Sequence, residues 1–215
     1  MAKKTLLTSA AVLAAAGLIV KVLGAFFRIP LTNWIGAAGM ANYAPAYAIY
    51  SVLLVISTAG LPVATSKMVS ERYAIGQYRE AERVFHLSRT IMTVLGIAGA
   101  LVVLFGAGII AEIVHVPGSA LAMQATAPAL LIVPIMSAYR GYFQGQQNMN
   151  PTAVSHIMEQ VFRVGIGLSL GYIMMNGTLF ADSYDAGARG AAGGCFGASA
   201  GGFAGLITVL LLYGF

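Results

Sequence analysis

Residues 154–175, VSHIMEQVFRVGIGLSLGYIMM, have the length and apolar content of a membrane-crossing helix, yet Glu159 and Arg163 stand one turn apart inside them. A charged side chain at the centre of a bilayer costs about 2.5 to 3.5 kcal/mol on insertion scales, so such groups normally face a partner or a watery cavity. The spacing i, i+4, with the acid first, favours a pair between these two, each offsetting much of the other's burial cost. That pair is one reading of the stretch; a cavity lined by Arg163 is the other.

The rest of the chain fits a membrane setting. Of 215 residues, 59% are hydrophobic and 9% charged, and the mean hydropathy is +0.82. That leaves too little polar surface to coat a soluble globule. A helix needs about 20 apolar residues to cross a hydrocarbon core about 30 Å thick. Six stretches meet or approach that length, at about 5–30, 40–61, 85–114, 120–143, 152–175 and 186–213. The expected fold is an all-α polytopic membrane protein of six transmembrane helices. The first stretch imitates a secretory signal, with Lys3 and Lys4 ahead of an apolar run, but its apolar character continues to Pro30, so it is read as a retained helix.

Lys67, Arg72, Arg79, Arg83 and Arg89 crowd the segment 67–89, whereas Asn33, Glu112, His115, Asp182 and Asp185 occupy the other connections, with Arg189 the one cation near them. The positive-inside rule then puts the amino terminus, segment 67–89 and Phe215 in the cytoplasm. Gly76 divides that segment into two short helices. The second, GQYREAERVF, has charges on one side and Tyr78, Ala81, Val84 and Phe85 on the other, which suits a helix on the membrane surface or a plain solvated connector.

Pro45 lies in the second span, and Pro128 and Pro134 bend the fourth. In the sixth, Gly190, Gly193, Gly194, Gly197, Gly201 and Gly205 supply overlapping G-x-x-x-G spacings for close helix contact. Bent helices and close contacts suit a bundle that moves, though static bundles use them too. The spans also hold Lys21, Arg28 and Arg140, and Lys21 precedes Arg28 by two turns on nearly the same face. Arg28 and Arg140 are close enough to helix ends to extend toward headgroups. Even so, four cations against the single anion Glu159 leave an excess that an anionic ligand would balance, and Arg is suited to bidentate contact with phosphate. Tyr43, Tyr47 and Tyr50 form one aromatic stripe, fit for helix packing, interfacial anchoring or sugar stacking.

Other chemistries find little support. The cations are not clustered as nucleic-acid binding requires, so no nucleic-acid partner is expected. Cys195, alone in a Gly/Ala stretch, reads as a small packing residue. Glu112 with His115 makes one E-x-x-H where a di-iron bundle uses two. The glycines near Gly190 follow no strand and match no dinucleotide fingerprint. No catalytic residue, metal site or cofactor is expected, and the chain does not read as an enzyme.

SAYRGYFQGQQNMNPTAVSHIMEQVFRV (Ser137 to Val164), KVLGAFFRIPLTNWIGAAGMANYAPAYAIY (Lys21 to Tyr50) and STAGLPVATSKMVSERYAIG (Ser57 to Gly76) resemble the stage V sporulation protein B group. That group belongs to the multidrug/oligosaccharidyl-lipid/polysaccharide exporter superfamily, with the MurJ-type lipid II flippases and the polysaccharide flippases. The resemblance covers most of 20–175; His156 departs from it, standing where members more often carry Gln. It implies two pseudo-symmetric helical lobes around a cavity that alternates between inward-open and outward-open. The cargo would be an undecaprenyl-pyrophosphate-linked oligosaccharide in a bacterial cytoplasmic membrane, moved to the outer leaflet. Lys21 and Arg28 resemble the basic pair of the first helix there, with Arg28 offset by about one residue. Lys21, Arg28, Arg140, Arg163 and Glu159 are thus the expected substrate-binding set, and Arg163 would either face the diphosphate or stay clamped to Glu159. Such transporters have about twelve to fourteen spans, so residues 1–215 are expected to form the amino-terminal lobe and to need a carboxy-terminal partner lobe. Two rivals stand beside this reading: a drug/cation antiporter of the same superfamily, which would work through Glu159, and a non-transporting scaffold that binds cell-wall enzymes through 67–89.

Overall fold

A computed structural model describes residues 2–58, 60–178, 180 and 184–214, with side chains from residue 11 onward. Asp182, Phe215 and the side chains of Lys3 and Lys4, which entered the orientation argument, lie outside that description. Six helical elements follow in order: α1 (Ala2–Thr58), α2 (Leu61–Ala74), α3 (Tyr78–Ile113), α4 (Ser119–Gly145), α5 (Asn150–Asn176) and α6 (Ala186–Gly214).

The first two expected spans form one helical element, broken only at Gly36 (φ 65°, ψ −170°). That conformation is open essentially to glycine alone, and there the chain folds back. Phe27 and Tyr43, sixteen residues apart, would be about 24 Å apart on a straight helix, yet their rings lie 6.5 Å apart. Residues 2–35 and 37–58 are therefore two limbs of a hairpin.

Among the described residues, four helical stretches are long and apolar enough to cross a membrane: Ala11–Ala74, which runs through α1 and α2, Tyr78–Ile113, Ser119–Gly145 and Ala186–Gly214. The difference from the six expected has two causes. The first of the four contains both hairpin limbs, and α5, although 27 residues long, is diluted by Glu159, Gln160 and Arg163. Gly76 (φ 73°) does separate α2 from α3. GQYREAERVF, however, is not a separate surface helix but leads straight into α3, because Ala81 and Phe85 are fully buried against the bundle.

Glycine sets how closely the helices approach. A Cβ at Gly197 would lie 2.7 Å from the Arg163 carbonyl oxygen, and one at Gly201 would collide with the Glu159 carbonyl oxygen, so α6 lies directly on the backbone of α5. Phe27, Leu31 and Ile35 of α1 then fill the seam between these helices, against Gly167, Gly171, Gly190 and Gly194. On α4, Gly141 and Gly145 accept the backbone of α2 at Pro62 and Ser66. The prolines interrupt the hydrogen bonding of α4, and neighbouring helices pack closely at both places. Pro134 has no N–H for the Leu130 carbonyl, and Gly96 of α3 packs against that oxygen. Near Pro128, the Ser199 hydroxyl of α6 donates to Ala125 O (2.8 Å) and accepts from Ala129 N (3.2 Å), standing in for a helical hydrogen bond. Opposite the Gly36 turn, Phe85, Tyr139, Tyr142 and Tyr213 form an aromatic cluster joining α3, α4 and α6.

Candidate functional site

The charged residues of the opening stretch meet a third. Glu159 accepts a hydrogen bond from Arg163 Nη2 on Oε1 (3.2 Å) and one from Arg140 Nη2 on Oε2 (3.0 Å). The first is the expected i, i+4 pair. The second crosses from α4, and it gives Arg140 a carboxylate partner in place of the expected reach toward headgroups. Arg140 Nε also donates to Ser155 Oγ (2.9 Å), and the Ser155 hydroxyl donates a hydrogen bond to the Thr152 carbonyl (2.8 Å). His156 Nδ1 stands 4.0 Å from Glu159 Oε2. Two guanidiniums on one carboxylate leave a buried excess of one positive charge, counted with His156 neutral.

This arrangement accounts for two conspicuous sequence blocks. In Arg-Gly-Tyr-Phe-Gln-Gly, Arg140 supplies the ion pair, Gly141 and Gly145 admit α2, and Tyr142 joins the aromatic cluster. In Pro-Thr-Ala-Val-Ser, Pro151 stands in the first turn of α5, and Thr152 and Ser155 orient Arg140.

In front of the ion cluster lies a cavity of about 320 Å³ between the α1 hairpin and α5, lined by Gly24, Phe27, Arg28, Tyr43, Ala44, Tyr47, Ala48, Gln160 and Arg163. Arg28 comes from the first limb, Tyr43 and Tyr47 from the second, and Arg163 from α5. The Tyr43 and Tyr47 rings stack at 5.6 Å with an 11° tilt. Tyr50 continues the stripe into the core, 2% exposed, with its ring 5.5 Å from Tyr47. The buried Arg163 Nε makes no hydrogen bond among the described residues.

The structure thus brings Arg28, Arg163, Tyr43 and Tyr47 onto one cavity and sets Glu159 and Arg140 behind it. Lys21 is exposed on the first limb, two turns or about 10 Å from Arg28, and is not among the cavity-lining residues. Gln160 was not singled out from sequence. Its place beside Glu159 on α5, where an amide is otherwise costly in an apolar helix, was the available signal. Chemically, the cavity offers two guanidiniums, an amide and an aromatic wall, and no carboxylate among its lining residues.

A family model described as polysaccharide biosynthesis protein matches residues 6–212. The chain belongs to this polysaccharide biosynthesis protein family. It is 36% identical to stage V sporulation protein B of Bacillus subtilis (strain 168) over 167 residues, which is 77% of the chain and 32% of the relative. It is 33% identical to the lipid II flippase MurJ of the same organism over 208 residues, 91% of the chain and 36% of that protein. The chain therefore spans about a third of the length of these relatives. Among solved structures, the crystal structure of MATE in the straight conformation superposes with a TM-score of 0.66 at 17% identity, covering 96% of the chain and 44% of the MATE chain. At that identity the match shows the fold alone: an all-α, multi-pass membrane bundle of the MATE type. Membership in the polysaccharide biosynthesis protein family agrees with the group that the three sequence blocks resembled.

Proposed function

We propose that the chain is the amino-terminal lobe of a flippase for lipid-linked oligosaccharides, and that its cavity receives the pyrophosphate and first sugar of the cargo. The observation that carries this reading is the meeting of Arg28 and Arg163 with the stacked Tyr43 and Tyr47 on one cavity between the α1 hairpin and α5. Guanidiniums bind phosphate bidentately, and an aromatic face beside them suits a sugar ring. The lipid II flippase, about a third covered by the chain, and the polysaccharide biosynthesis protein family support the cargo class. In this reading the amino terminus and the 67–89 segment face the cytoplasm of a bacterial cell membrane, and a second lobe closes the cavity for alternating access.

The geometry disfavours Glu159 as the exchange site of a drug/cation antiporter. That mechanism needs a membrane carboxylate free to exchange protons or sodium, and Glu159 already has a guanidinium on each oxygen.

The test uses the full-length gene product in proteoliposomes with a fluorescent pyrophosphate-linked polyprenyl oligosaccharide, read by protection of the sugar from an external reagent. Translocation is expected in the wild type and lost in Arg163→Gln. Translocation unchanged in both Arg163→Gln and Arg28→Gln would refute the reading, as would proton-driven export of an organic cation that disappears in Glu159→Gln.

A further inference from the structure

We infer that Arg140, which does not line the cavity, is a positioning residue: by occupying one oxygen of Glu159 it holds the Arg163 guanidinium at the cavity wall. The inference rests on the proposed binding of a pyrophosphate at Arg163.

A carboxylate has two oxygens, and here each has one cation: Oε2 is bonded to Arg140 at 3.0 Å and Oε1 to Arg163 at 3.2 Å. Arg140 is itself fixed. Its Nε donates to Ser155 Oγ at 2.9 Å, and Ser155 is locked by donation to Thr152 O at 2.8 Å. The Arg140 and Ser155 side chains are buried, so solvent cannot take over either bond. The bonds of Arg140 to Ser155 and to Glu159 both join α4 to α5.

Two consequences follow from this sharing. Sharing the carboxylate with Arg140, Arg163 meets Glu159 through a single bond to Oε1 at 3.2 Å rather than the two parallel bonds of a fork-on-fork pair, and it remains part of the cavity lining. With two cations on one anion, the cluster keeps a positive charge for a ligand. Without the charge of Arg140, Glu159 would neutralise Arg163 and could claim it with both oxygens. The cavity would lose its attraction for an anion, although no residue touching that anion had changed.

This differs from a purely structural role in one respect. Removing Arg140 and Glu159 together deletes one charge of each sign and releases Arg163, so binding should return.

The experiment measures affinity for undecaprenyl pyrophosphate, by competition against the radiolabelled lipid, using the detergent-purified full-length protein and four variants: Arg140→Gln, Arg140→Lys, Arg163→Gln and the double variant Arg140→Gln/Glu159→Gln. Arg140→Gln is expected to weaken binding roughly tenfold, the loss of about one charge-assisted contact. Arg140→Lys, which keeps the charge but cannot make both planar contacts, should fall between it and the wild type. The double variant should bind within about threefold of the wild type. Wild-type affinity in Arg140→Gln, with binding lost in Arg163→Gln, would overturn the positioning role and leave the binding site standing. Wild-type affinity in Arg163→Gln would overturn the binding site itself. Should Arg140→Gln not fold, Arg140→Lys decides: affinity equal to the wild type, or as weak as that of Arg163→Gln, would overturn the inference.

Discussion

Arg140 and Glu159, nineteen residues apart on different helices, are joined by a 3.0 Å hydrogen bond between side chains that are 8% and 13% exposed. The bond gives α4 and α5 a charged link, and it makes the acid the hinge of a three-residue cluster with Arg163.

Glu159→Gln should therefore destabilise the protein more than Arg140→Gln. The first change leaves two buried cations without a counter-charge, for which the expected cost is about 3 to 5 kcal/mol. The second leaves the neutral Glu159–Arg163 pair in place. Unfolding midpoints in one detergent check the order, which equal midpoints or the reverse order would contradict.

Gly36→Ala should cost on the order of 1–3 kcal/mol although space is available at that position. A Cβ there would meet no atom within 4 Å, so the penalty comes only from φ 65° and ψ −170°. The prediction is a lowered unfolding midpoint in Gly36→Ala and an unchanged or raised one in Gly108→Ala, which lies inside α3 with equally open surroundings. An unchanged midpoint in Gly36→Ala would mean that the hairpin does not depend on that turn.

Gly201→Val should push α6 off α5 and lower the yield of folded protein, because the Glu159 carbonyl occupies the space that a Cβ needs. Overpacking of this kind costs about 1 to 3 kcal/mol or more. The same substitution should also move Arg163, whose Cβ lies 2.9 Å from the Cβ position at Gly201. Loss of binding at retained folding, in a competition assay with undecaprenyl pyrophosphate, would show the second effect apart from the first.

What the sequence revealed follows the range of the interaction. The helices were legible because apolar runs of 20 and more residues leave few alternatives, and the observed bounds of α4, Ser119–Gly145, differ from the expected 120–143 by only one or two residues. The Glu159–Arg163 pair was legible because both members sit on one helix, where spacing fixes proximity. The partnership of Arg140 was not, since it depends on how α4 lies on α5, and no single-helix pattern encodes that. The continuity of α3 was missed for a related reason: charged residues at 79–83 read as surface, while Phe85 is covered by Tyr139 and Tyr142 of α4 and Tyr213 of α6. The glycines of α6 announced close packing in general terms, but not that Gly197 and Gly201 would face the two backbone carbonyls of the ion pair.

The most direct measurement is native mass spectrometry of the full-length protein extracted from its own membranes in mild detergent, run beside Arg163→Gln. A pyrophosphate-linked polyprenyl sugar retained by the wild type and absent from Arg163→Gln is the expected result. Ordinary phospholipid alone on both proteins would contradict the cavity's assignment, and would leave Arg140, Glu159 and Arg163 as a buried structural cluster.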